Sequence, residues 1–167
     1  MDESAIKRAI SRISHEIIEK NKGAEDIILV GIVTRGKNIA DRIAEKIYEI
    51  EEEKLSVYPM NIRNYRDDIS KLDIIQDKAI NEDINNKKII LVDDVISTGR
   101  SVRAGIDGIL AHGRPKSIQL VALIDRGHRE LPISPDYVGK NVPTSKSEIV
   151  SVKLFEVDNI DQVMIKK

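Results

Sequence analysis

Three short apolar runs, "IILVGIV" (27–33), "KIILVDDV" (88–95) and "SIQLVALI" (117–124), carry no polar alternation and are rich in β-branched residues. Each reads as a strand buried on both faces. The first two are followed by turn residues and then a helical pattern, 39–50 and 101–112. Strand, turn, helix, strand is the α/β pattern, a mainly parallel central sheet flanked by helices. Residues 4–21 place Ile6, Ile10, Ile13 and Ile17 at helical spacing, with Ser4 as N-cap and Gly23 just past the end. "LSVYPMNI" (55–62) alternates less cleanly, and Pro59 confines it to an edge or end of the sheet. Residues 63–86 have no clean period, as expected of a lid loop. From 125 the chain becomes Pro-, Gly- and Ser-rich with one further apolar run, 149–155, which predicts a small irregular cap over 125–167 carrying a strand. A length of 167 residues fits a single domain, 1–167.

Composition narrows the functions. With 41% hydrophobic and 33% charged residues the chain is globular and not disordered. A formal charge of -1 argues against non-specific nucleic-acid binding by bulk charge and leaves room for a local basic face. The absence of cysteine excludes disulfides and thiolate metal sites and fits a reducing cytosol. The start "MDESAIKRAI" lacks the build of a signal peptide and no apolar stretch has membrane length, so the expected location is cytoplasmic, with no membrane partner.

Two turns carry chemistry. "GIVTRGKN" (31–38) nearly spells a nucleoside-triphosphate loop, but Asn38 cannot supply the magnesium-binding hydroxyl. Thr34, Arg35 and Gly36 instead form a short turn whose following helix could hold an anion by its free amides; the bland reading is a strand–helix connection needing Gly36 for its φ angle. "VDDVISTGRS" (92–101) ends an apolar strand with Asp93 and Asp94, where open parallel sheets bind ligands. Successive strand side chains point to opposite faces, so two acids converge on one ligand only where the strand is ending. Ser97, Thr98, Gly99, Arg100 and Ser101 then open a helix with amides, hydroxyls and a guanidinium suited to a phosphate monoester. A lone acidic pair is more often a solvated turn or a helix cap. Between a buried strand and a phosphate-type turn it points to a sugar phosphate, carboxylates for its hydroxyls and amides for its phosphate.

The segment "IILVDDVISTGRSVRAGID" resembles the phosphoribosyl-pyrophosphate signature of the type I phosphoribosyltransferases. "RISHEIIEKNKG", "LVGIVTRG", "YRDDISK", "RPKSIQLVALIDRGHRELPI" and "DYVGKNVPTSKSE", in order from 12 to 148, are similar to one branch of them. That branch is the bifunctional pyrimidine-operon attenuation regulators that are also uracil phosphoribosyltransferases. The resemblance implies the type I phosphoribosyltransferase fold with a lid and a C-terminal hood, and conversion of uracil and phosphoribosyl pyrophosphate to UMP and pyrophosphate with Mg2+. It places Asp93 and Asp94 on the ribose hydroxyls and 98–101 on the 5′-phosphate. Thr34, Arg35 and Gly36 would hold pyrophosphate, and "YRDD" (65–68) would be the mobile loop, with Tyr65 and Arg66 over it. Asp125, Arg126, Tyr137 and Val138 resemble positions near the base. Magnesium would be held mainly through substrate oxygens, with Asp93 or Asp94 as the candidate protein ligand. Ser97 stands where hypoxanthine-guanine transferases carry an aspartate for a purine nitrogen and where regulators of this type often carry tyrosine, which argues against purines.

The first helix adds a second theme. Arg8, Arg12 and His15 lie opposite the isoleucine stripe; alone, such a face is usually just solvated. The resemblance implies that a basic dimer surface with Arg8, Ser11, Arg12, His15, Arg129 and Lys140 binds a hairpin of leader mRNA under control of UMP or UTP, in a homodimer or higher assembly. Ser134 stands where arginine is expected. The rival readings are an RNA-binding nucleotide sensor with negligible catalysis, which Ser97 permits, and a salvage enzyme without RNA function, which Ser134 permits. His15 and His128 are too far apart in sequence to suggest a metal site, and His112 reads as a helix C-terminal residue.

Overall fold

The computed structural model describes residues 1–66 and 79–167. In chain order the elements are α1 (Glu3–Asn21), β1 (Ile27–Ile32), α2 (Arg35–Glu51) and β2 (Ser56–Met60), a 3-10 turn (Ile62–Tyr65), β3 (Lys88–Ile96), α3 (Arg100–Leu110), β4 (Ser117–Asp125), β5 (Tyr137–Asn141), β6 (Ile149–Lys153), α4 (Phe155–Asp158) and β7 (Gln162–Lys166). Five strands form one sheet in the order β2-β1-β3-β4-β5, every neighbouring pair parallel. Strands β6 and β7 make a separate antiparallel hairpin. This is the α/β architecture expected, and the three unalternating runs are its three central strands.

Their lack of alternation has a direct cause: both faces are covered. Leu29, Ile90 and Val92 pack with Ile6, Ile13 and Ile17 of α1 and Ile39, Ile43 and Ile47 of α2. Ile28, Val30, Ile89 and Leu91 pack on the other face with Val102 and Ile109 of α3 and with Ile80 and Ile84. Strand β2 lies at the sheet edge with Pro59 exposed, where a missing N–H costs no ladder bond.

Several elements depart from the expectations. Helix α1 is capped by Asp2, whose carboxylate accepts from the Ala5 amide at 2.8 Å; Ser4 lies inside the first turn and its hydroxyl accepts from Arg8 at 2.6 Å. Helix α2 begins at Arg35 rather than near 39, so the 34–36 turn is itself the helix N-terminus. Residues 137–141 form the fifth strand of the main sheet, and 149–153 pairs with 162–166, so the region after 125 holds three strands rather than one. Half of the expected lid, 67–78, lies outside the described residues. At its start, Tyr65 packs against Gly108 of α3.

The hairpin is fastened to the rest by polar contacts. The Met1 ammonium donates to the Val163 carbonyl at 2.7 Å. Arg42 on α2 donates to Glu156 at 2.7 and 2.8 Å and to Asp161 at 2.7 and 2.8 Å. These bonds hold both carboxyls below the ordinary carboxylate range. A depressed folded pKa adds stability that is present above the unfolded value, about 4, and is lost as pH falls through the folded value. Urea midpoints should therefore drop as pH falls below about 5, and Arg42→Gln should flatten that drop. Equal pH dependence in both proteins would remove Arg42 from the fastening. Among the described residues no helix is long and apolar enough to cross a membrane.

Candidate active site

The pairing of β1 with β3 stops at Val92, whereas β4 continues alongside to Asp125. Asp93 and Asp94 thus lie within β3 but past the end of its other neighbour, at the carboxyl edge of the sheet. Strand alternation breaks there, since Val92 and Val95 join one core while Leu91 and Ile96 join the other. The acids also turn back on their own backbone: the Asp94 amide donates to Asp93 at 2.9 Å and the Val95 amide to Asp94 at 2.8 Å. Asp93 is only 6% exposed. Burial first, and the neighbouring Asp94 charge second, push its pKa well above the ordinary value.

The acidic pair stands between two helix N-termini. Asp93 lines a small pocket of about 90 Å³ with Ser97, Thr98, Gly99 and Ser101 ahead of α3. Gly99 is the α3 N-cap at φ 91, a left-handed conformation that glycine adopts without strain. The 126–133 segment buttresses this turn: Glu130 and Leu131 amides donate to the Thr98 carbonyl at 3.0 and 3.1 Å. The Arg100 Nε donates to Glu130 at 2.8 Å, and the Arg100 amide donates to the Thr98 hydroxyl at 3.2 Å.

At the start of α2, the hydrogen bond to Asp158 raises the Arg35 pKa, with a smaller contribution from the Asp94 charge. Arg35 opens α2, and Thr34, the N-cap, keeps its hydroxyl out of capping. Gly36 is needed here for close approach and not for its φ: a Cβ at this position would press into the Val92 carbonyl oxygen, with the Asp93 Cα just behind. The missing side chain lets the N-terminus of α2 sit directly on the strand that carries the acids. Two helix N-termini, each attractive to anions, therefore flank an acidic pair. The spacing suits a ligand with hydroxyls in the middle and phosphate groups at both ends.

The remaining expected residues divide. Asp125 ends β4, accepts the fork of Arg129 at 2.6 and 2.9 Å, and is held below its usual pKa by it. Arg129 also donates to the Ser97 and Ile133 carbonyls at 3.0 and 2.7 Å, so these donors are engaged between Ser97, Asp125 and Ile133 and not on the face of α1. Arg126 donates to Thr144 and to the Ser145 carbonyl, both at 3.1 Å. Tyr137 is buried in the core and pairs with Val121, four positions before the Asp125–Asn141 edge. Its hydroxyl donates to Gln119 at 2.6 Å, and burial pushes its pKa to about 12. Val138, the next residue, pairs with Ala122.

Arg8, Ser11, Arg12 and His15 share α1, and Arg12 donates to the Val138 and Gly139 carbonyls at 3.0 and 2.7 Å. That contact lays α1 along the edge strand and brings exposed Lys140 to the same border. Arg66 is exposed at the last described position before 67. One partner escaped the sequence reading: Asp158 takes a forked contact from Arg35. The signal was available only as three acids, Glu156, Asp158 and Asp161, closing a chain whose α2 carries Arg35 and Arg42.

An α/β sheet with an acidic pair between two anion-binding helix starts defines a phosphoribosyltransferase site, and residues 2–158 match the phosphoribosyl transferase domain family. The fold agrees with a ternary substrate complex of hypoxanthine phosphoribosyltransferase from Trypanosoma cruzi, at TM-score 0.78 and 15% identity over 99% of this chain and 92% of that one. A hypoxanthine-guanine phosphoribosyltransferase of Bacillus anthracis gives TM-score 0.70 at 19% identity over 90% and 84%. Full-length relatives are far more similar. The bifunctional protein PyrR of Clostridium kluyveri is 60% identical over 99% of this chain and 94% of its own length. That of Clostridioides difficile is 56% identical over 100% and 96%. The chain belongs to the PyrR family of phosphoribosyltransferases.

Proposed function

We propose that the chain is a uracil phosphoribosyltransferase, joining uracil to phosphoribosyl pyrophosphate to give UMP and pyrophosphate, and that it binds pyrimidine-operon leader RNA in a UMP-dependent way. The observation that carries the enzymatic half is the placement of the acidic pair, with Asp93 on the pocket ahead of α3 and the start of α2 resting at Gly36 on the strand that carries both acids. In this reading the 5′-phosphate sits on 98–101, the ribose hydroxyls on Asp93 and Asp94, and the diphosphate on Thr34, Arg35 and Gly36. The bond to the diphosphate oxygen breaks as the bond to the base nitrogen forms, through an oxocarbenium-like state by analogy with glycoside cleavage. Arg35, the α2 amides and Arg66 receive the charge that develops on the leaving group. Closing Arg66 over the ligand would keep water from the activated sugar. Ser97 offers no carboxylate to a purine nitrogen, which favours a pyrimidine.

Magnesium fits the donor set as a guest of the substrate. Among the described residues no group of three or more potential ligands is assembled, whereas two carboxylates stand where a substrate-borne ion would meet them. Such an ion would neutralise the leaving diphosphate, with Asp93 or Asp94 completing its oxygen shell.

The RNA half rests on the PyrR relatives and on the border formed by Arg8, Ser11, Arg12, His15 and Lys140, within a homodimer or larger assembly acting in the cytoplasm. A salvage enzyme without RNA function is the second reading, favoured by the internal engagement of Arg12 and Arg129. The test pairs two assays. With magnesium and phosphoribosyl pyrophosphate, uracil should give UMP while hypoxanthine and orotate give nothing. A leader-RNA gel shift should strengthen with UMP and weaken with salt. A shift indifferent to UMP and sequence sinks the regulatory half; UMP binding without turnover by any base leaves only a nucleotide sensor.

A further inference from the structure

Arg35 occupies an awkward position for a binding group. It opens α2, where a cation meets the positive end of the helix dipole, and a long side chain has many rotamers to choose among. A carboxylate fixed beside it answers both problems. Asp158 accepts from Arg35 Nε at 3.2 Å and from Nη2 at 2.9 and 3.1 Å, a fork that uses one edge of the guanidinium and leaves Nη1 outside the pair.

The fork is itself held still. Asp158 Oδ2 also accepts from the Leu154 amide at 2.9 Å, and Asp161 Oδ1 accepts from the Phe155 amide at 2.7 Å, so two carboxylates close the N-terminal end of α4. Arg42, two turns along α2 from Arg35, fastens the same segment through Glu156 and Asp161. The two arginines thus lie on one face of α2 and meet one acidic segment. Asp158 is kept below the usual carboxylate range, by Arg35 first and the Leu154 amide second, and so carries its charge at neutral pH.

Resting on the assignment of Arg35 to the leaving diphosphate, we propose that Asp158 is a positioning residue: from the C-terminal hairpin it holds the guanidinium by its Nε–Nη2 edge and leaves Nη1 for the diphosphate. The hairpin is then part of the active site's support, acting on the anion end of the ligand and not on the nucleotide end.

The test is calorimetric titration of the full chain with magnesium pyrophosphate and, separately, with UMP. Asp158→Ala should weaken pyrophosphate binding about tenfold, the scale of one charge-assisted hydrogen bond, and leave UMP affinity unchanged. Asp158→Asn, which keeps an acceptor for the Leu154 amide, should lose as much. In an Arg35→Ala background Asp158→Ala should add nothing, since it acts only through that side chain. Unchanged or tighter pyrophosphate binding in both variants overturns the positioning role, the second by showing that Asp158 competes with the ligand. Equal losses for UMP and pyrophosphate also overturn it, as collapse of the hairpin. A wild-type protein that binds UMP but no pyrophosphate would instead sink the assignment of Arg35 beneath the proposal.

Discussion

Asp94→Asn is expected to lower kcat/KM for phosphoribosyl pyrophosphate about 10- to 100-fold, the loss of a charge-assisted hydrogen bond of about 1.5–3 kcal/mol in the transition state. Its melting temperature should stay close to that of the parent, because Asp94 is half-buried and the substitution keeps its shape. Asp93→Asn separates stability from activity more sharply. Asp93 is buried against a like charge, and both effects disfavour its ionised form. Removing the charge in the metal-free protein relieves that cost, so Asp93→Asn should melt higher than the parent while turning over more slowly. An acidic pair retained only for folding would behave in the opposite way, losing stability on neutralisation. Thermal melts and steady-state kinetics on the two variants decide between these, and unchanged kinetics in both would remove the acids from the site.

What the sequence reveals of this fold follows from burial. Strands β1, β3 and β4 are covered on both faces, and that requirement writes continuous apolar runs that any reader of the chain can find. The acidic pair stands out for the same reason, as charge placed directly after such a run. Strand β5 left no such trace. It has five residues at the sheet edge, it is covered by α1, and Arg12 bonds two of its carbonyls from 126 and 127 residues away. Asp158 is similarly hidden, since its partner Arg35 lies 123 positions earlier. Arg129 shows a different limit: an arginine four residues after an aspartate can fork inward onto it or face solvent, and spacing alone does not choose. Positions fixed by local pattern were legible; pairings between distant segments were not.

The largest combined effect is expected at Gly36. A Cβ there meets the backbone oxygen of Val92, which no side-chain rotamer can relieve, so Gly36→Ala must push α2 away from β3. Overpacking of this kind costs about 1–3 kcal/mol of stability. Activity should suffer more, because displacing Thr34 and Arg35 by about 1 Å relative to Asp93 and Asp94 can cost roughly a hundredfold. Gly23→Ala provides the contrast. Its space is open but its φ is 118, so the change strains the backbone after α1, far along the chain from the site, and costs stability alone. If the close contact of α2 with the acidic strand is what assembles the site, matched losses of stability in the two variants should accompany very different losses of turnover. Similar kinetics in both would mean that the two anion-binding turns work independently of the distance between them, and the geometric basis of the proposed reaction would fall with that result.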